Sequence, residues 1–135
     1  MPVSVPTERS EVRRSFDPVP TSSRAARTWC DPVLLEWGLA DQRPDAALVL
    51  SELVANAIRH GEGRIDVCLS RRPGALRIAV SDAGGPAEIA AQAPPPETSS
   101  GRGLAIVEHF ASAWGVRQLP GGGKTVWAAL PVTDP

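Results

Sequence analysis

The chain has 135 residues, 42% of them hydrophobic, and a formal net charge of −1. That length suits one domain around one core, the apolar content excludes wholesale disorder, and the balanced charge forces no basic surface, so direct nucleic-acid binding is not expected. No segment approaches the roughly 20 apolar residues of a membrane span, and Met1-Pro2-Val3-Ser4 does not lead from a basic stretch into an apolar run, so a cytoplasmic protein away from membranes is expected.

Residues 1–14 are polar, carry prolines and show no period; they read as a flexible tail, with 15–135 as the folded domain. Ser15 to Val19 reads as a short edge strand closed by Pro18 and Pro20. Thr21, Ser22 and Ser23 offer N-caps for a helix toward Trp37. Pro32 inside it predicts a kink or two short helices, because proline removes a donor and crowds the preceding turn. Gly38 suits the C-terminal end.

The clearest element runs from Pro44 to His60. Leu50, Leu53, Val54, Ala57 and Ile58 recur at helical spacing and make one apolar stripe, which Gly61 and Gly63 end. Arg64 to Ser70 alternates, with Ile65, Val67 and Leu69 on one face. Leu76, Ile78 and Val80 alternate in the next segment, and Arg71-Arg72-Pro73-Gly74 between the two predicts a hairpin. Residues 87–100, rich in Ala, Pro and Ser, read as a mobile loop. A helix is expected from about Arg102 to Ala113, then strands over Val116–Leu119 and Lys124–Leu130. The fold class is α+β, with helices layered on one sheet.

Composition adds two cues. Cys30 and Cys68 each fall within regular structure without a metal-ligand neighbour and read as small, buried, reduced side chains. Lys124 is the only lysine and Asn56 the only asparagine in an Arg-, Ala-, Pro- and Gly-rich chain. Against that background a lone Asn or Lys carries slightly more weight as a chemically required residue.

Several groups could carry chemistry. Glu52, Asn56 and His60 are four apart and form one row on the long helix. A carboxylate and a carboxamide one turn apart offer a base and a hard oxygen ligand to one small volume; Mg²⁺, which keeps several waters, suits one amide oxygen plus phosphates. The same row also reads as the solvated face of an amphipathic helix. Asp82 follows a strand and precedes Gly84 and Gly85, where its carboxylate could accept from an exocyclic amine and the glycines let a planar base approach. An Asp turn after a strand gives the same pattern. Gly101-Arg102-Gly103 leads into a helix carrying Leu104, Val107 and Ala111, so free N–H groups and the positive end of the dipole suit a phosphate chain. Gly121-Gly122-Gly123-Lys124-Thr125 imitates the end of a P-loop and is rejected: the required earlier glycine is Gln118, and the residues after Thr125 alternate as a strand. His109 reads as structural or solvated.

Their order is more specific than any one of them. Glu52-Leu-Val-Ala-Asn56-Ala-Ile-Arg-His60-Gly, then Asp82-Ala-Gly84-Gly85, then Gly101-Arg102-Gly103-Leu104, then Gly123-Lys124-Thr125 resemble the successive nucleotide boxes of the GHKL (Bergerat-fold) ATPases. Within that superfamily the chain looks like the stand-alone bacterial ATP-binding proteins related to anti-sigma-factor serine/threonine kinases. The resemblance covers roughly residues 15–131. It implies a two-layer α/β sandwich, with helices on one face of a mixed, mostly antiparallel sheet.

It also implies ATP and Mg²⁺ as cofactors. Asn56 falls on the Mg²⁺ ligand, Glu52 on the catalytic base, Asp82 on the adenine-binding aspartate with Gly84 beside the base, and Gly101 and Gly103 on the phosphate-contacting glycines. Thr125 falls on a threonine near adenine, His60, Gly85, Arg102 and Leu104 lie within the matching boxes, and residues 87–100 become an ATP lid. Two positions depart: Gly85-Pro86 stands where the second box ends in a further x-Gly pair, and Ser99 stands where better-known kinases of the group carry an arginine.

The expected partners are a small STAS-type anti-sigma-factor antagonist, as phosphoacceptor, and a sigma factor, with homodimers possible. The leading reading is a protein serine/threonine kinase acting as an anti-sigma factor. The alternative is a nucleotide-dependent protein-binding module without significant kinase activity. A histidine-kinase catalytic domain is disfavoured, since no dimerisation helix with a phospho-accepting His precedes residue 21.

Overall fold

Strand alternation and one apolar helix stripe account for most of the architecture. The computed structural model describes residues 10–84 and 102–132, with the backbone alone at 102–104. The elements in order are β1 (Ser10–Phe16), α1 (Ser22–Glu36), a 3-10 turn (Ala40–Gln42), α2 (Arg43–His60), β2 (Ile65–Arg72), β3 (Ala75–Asp82), α3 (Arg102–Phe110), β4 (Ala113–Gln118) and β5 (Lys124–Pro131). The strands form one sheet in the order β1-β2-β3-β5-β4. A mixed, mostly antiparallel sheet is the expectation; every ladder among the described residues is antiparallel, because β5 returns between β3 and β4 and runs against both.

Period two divides each strand between two faces. Ile65, Val67 and Leu69 of β2, Leu76, Ile78 and Val80 of β3, and Val126, Ala128 and Leu130 of β5 share the buried face. Onto it α2 brings Leu50, Leu53, Val54 and Ala57, the stripe read from the sequence, with Ile58 half-buried at its margin. Helices α1 and α3 pack against α2, contributing Ala26, Cys30 and Leu34, and Val107, to the same core. Leu53 is 1% exposed; truncating such a leucine to alanine costs about 2–5 kcal/mol, so α2 is fixed firmly on the sheet.

Four expectations are corrected. The first strand lies at Ser10–Phe16, not Ser15–Val19, so residues 10–14 are strand and not tail. Val12 and Phe16 share the parity that meets the core, β2 supplies the backbone partners, and Pro18 and Pro20 exclude the segment after it. Helix α1 runs through Pro32 as one 15-residue helix. Thr28, whose carbonyl loses its partner at Pro32, is exposed like Pro32 itself, so water can satisfy the freed group while Ala26, Cys30 and Leu34 hold the other face in the core. Helix α3 stops at Phe110, where Ser112 N–H donates to the Ala129 carbonyl and hands the chain to the sheet. As a result β4 begins at Ala113, before the expected Val116. Gly38, at φ 76°, follows the C-cap of α1 as expected.

Both cysteines are free. Burial, aided by neighbouring Asp31, pushes the Cys30 thiol up to about 12. Cys68 is only half-buried, because its parity places it on the sheet face opposite the helices. Among the described residues no helix is long and apolar enough to cross a membrane. The expected lid, residues 87–100, lies outside the described residues, as do Gly85 and Gly101.

Candidate functional site

The site is assembled where α2 ends against the last residue of β3. Asp82 shares the parity of Leu76, Ile78 and Val80, so its side chain turns toward the helix layer, and it is 4% exposed. One carboxylate oxygen, Oδ1, accepts from the Gly84 N–H at 3.2 Å. The other, Oδ2, accepts from Lys124 Nζ at 2.7 Å. Register delivers that lysine, since Asp82 and Lys124 are direct partners across β3 and β5.

Glycines allow the close approach. Gly61 caps α2 directly beside Asp82, and a methyl there would lie 2.6 Å from Oδ2. Gly123, at φ 90°, passes so near the Asp82 carbonyl that a Cβ would collide with it. The Ala83 N–H donates to the Glu62 carbonyl at 2.9 Å, tying the segment after α2 to the end of β3.

The row Glu52–Asn56–His60 leads into this corner. His60 is the last residue of α2, and Asn56 lies one turn, roughly 6 Å, before it along the axis. Glu52 and Asn56 are half-buried, and neither makes a side-chain hydrogen bond to another described residue. Among the described residues no group of three or more His, Cys, Asp or Glu gathers as a metal cluster. A Mg²⁺ ion here would take one amide oxygen from the protein and most of its ligands from phosphates and water, a set the site fits. Partial burial first, then Arg59 and Lys124, hold the His60 imidazole below its ordinary value of 6.5.

The structure therefore sets His60, at the end of α2, in the corner with Asp82 and Gly84, while Asn56 and Glu52 lie one and two turns back along the helix, roughly 6 and 12 Å by the helical rise. It does not place Thr125 there. Thr125 has the opposite parity to Lys124, and its hydroxyl meets that of Ser81 at 2.6 Å on the far face of the sheet. The side chains of Arg102 and Leu104, with Gly103, fall where only backbone is described; that backbone begins α3, which packs on α2. His109 is exposed and meets Phe110 edge-on at 4.7 Å between ring centroids. Sequence reasoning gave no role to Lys124 or to Gly61 beyond ending a helix; the signal that pointed to Lys124 was its being the only lysine.

A helix-layered antiparallel sheet with this corner at the end of its long helix is the architecture of a nucleotide-binding family. The chain belongs to the histidine kinase-like ATPase domain family, whose model matches residues 16–130. A solved structure of the RsbU and RsbW domains of Rv1364c from Mycobacterium tuberculosis superposes with a TM-score of 0.67 at 22% identity. The match covers 92% of this chain and 33% of that one, so the chain spans about a third of the length of that structure and shares its fold. No curated protein matches.

Proposed function

We propose that the protein is an ATP-binding regulatory domain in which Asp82 reads the base amine and Asn56 ligates a Mg²⁺ ion bound with the phosphates. The observation that carries this reading is the buried Asp82 carboxylate, held at the end of the helix that bears Glu52 and Asn56. The carboxylate, 2% exposed in its side chain, has its burial offset by Lys124 and the Gly84 N–H, and its remaining lone pairs could accept from a base amine. The N-terminal end of α3 at Arg102 would offer backbone N–H groups and the positive end of the helix dipole to phosphate oxygens.

The chemistry we assign is phosphoryl transfer to a serine or threonine of a small STAS-type anti-sigma-factor antagonist, with a sigma factor as second partner. The acceptor hydroxyl would attack the γ-phosphorus, the bond to the leaving ADP would break, and Glu52 would take the hydroxyl proton. The Mg²⁺ ion would offset phosphate charge. A non-transferring, nucleotide-dependent binding module is the second reading, favoured by Pro86 and Ser99 at positions where the resemblance has a glycine and an arginine.

Calorimetry with ATP tests the site: heat that EDTA weakens and Asp82→Ala abolishes is expected, and no heat at millimolar ATP with Mg²⁺ would sink the proposal. Recovery of partners from the native host with and without ATP, followed by a phosphosite search on them, separates kinase from binding module.

A further inference from the structure

The reading of Asp82 as the base-binding carboxylate leaves Lys124 unexplained. Its ammonium is not a surface ornament: the side chain is 11% exposed and sits 2.7 Å from an oxygen of a carboxylate that is 2% exposed. The other oxygen already accepts from Gly84 N–H. Gly61 packs against the Oδ2 side of the carboxylate, the same oxygen that Lys124 holds, and Gly123 packs against the Asp82 carbonyl. A base amine arriving at Asp82 meets an oxygen that the protein's own cation holds.

We propose that Lys124 is an internal competitor for the base-reading carboxylate, displaced when the base seats, and that it thereby sets the affinity and base preference of the site. This rests on the nucleotide-binding reading above. With the ammonium in place, the pocket offers a donor as well as an acceptor, so a 6-oxo purine, which presents an acceptor, is tolerated. With the ammonium gone, a free carboxylate favours a 6-amino purine and repels a 6-oxo one.

Lys124→Met keeps the length and removes the charge. A hydrogen bond to a charged group contributes about 1.5–3 kcal/mol, so ATP affinity is expected to rise roughly 10- to 100-fold while affinity for inosine triphosphate does not rise. Lys124→Arg keeps the cation and should bind ATP no more tightly than wild type. Because Lys124 is the only lysine, ¹³Cε-lysine labelling of the wild-type protein gives one side-chain signal, whatever the fate of the variants. Saturating ATP should move that signal to the position of a solvated lysine.

A signal that stays put at saturating ATP, a Lys124→Met variant that binds ATP more weakly, or equal gains for ATP and inosine triphosphate would each overturn the competitor role and leave the base-reading role of Asp82 standing. Absence of ATP heat in folded wild type and both variants would instead remove the nucleotide reading, and this inference with it.

Discussion

Gly61, the C-cap of α2, lies against the carboxylate of Asp82 so closely that a single methyl would come within 2.6 Å of Oδ2. The helix end and the strand end thus share one position, and the Gly84 and Lys124 hydrogen bonds to the carboxylate leave Asp82 little room to move aside. Gly61→Ala is expected to cost about 1–3 kcal/mol through overpacking and to weaken ATP binding as well. Urea unfolding and calorimetry check both; wild-type values for both would show that the corner is not packed as described.

Much of this was legible in the sequence. The α2 stripe and the alternation of β2 and β3 are local patterns, and packing agreed with them residue by residue. Strand β1 was misplaced because only Val12 and Phe16 mark its buried face, and Arg13 and Arg14 between them mask the period. Which of Lys124 and Thr125, on opposite faces of the strand, meets Asp82 could not be assigned from the sequence. Their partners lie 42 and 44 residues away, and a register shift of one residue between β3 and β5 would exchange them.

On the proposed roles of Asn56 as metal ligand and Glu52 as base, the two residues should separate binding from chemistry. A metal ligand helps hold the triphosphate, so Asn56→Ala is expected to weaken Mg-ATP binding by roughly 10- to 100-fold and to abolish transfer. Glu52→Gln keeps shape and removes charge, so ATP affinity should change little. Phosphorylation of the cognate partner should fall about 10²–10⁴-fold, the usual cost of losing a positioned base. Wild-type transfer by Glu52→Gln would reassign the row to Mg²⁺ binding and solvation alone.

His60 makes a pH prediction. Its imidazole is held below 6.5 in the folded chain by partial burial, then by Arg59 and Lys124. The unfolded state therefore binds more protons between the folded midpoint and the ordinary value, so stability is full above about 6.5 and declines as pH falls through that window. His60 is exposed at the helix end, which keeps the effect small. An imidazole NMR titration should give a midpoint below 6.5 in the wild type and a higher one in Lys124→Met. A midpoint unmoved by that substitution would place Lys124 too far away to act on it.

Thr125 gives the sharpest test of strand parity. Resemblance places it near adenine, whereas its hydroxyl bonds Ser81 at 2.6 Å on the sheet face opposite Asp82. Thr125→Val preserves the branched shape and removes only the hydroxyl. A net hydrogen bond contributes about 0.5–1.5 kcal/mol, so unfolding free energy should drop by about that amount while ATP affinity stays within twofold or so. Ser81→Ala should produce a similar loss, and the double variant should lose less than the sum, because both changes remove the same bond. A large fall in ATP affinity with unchanged stability would mean that β5 is set one residue out of the observed register, with Thr125 and not Lys124 facing Asp82.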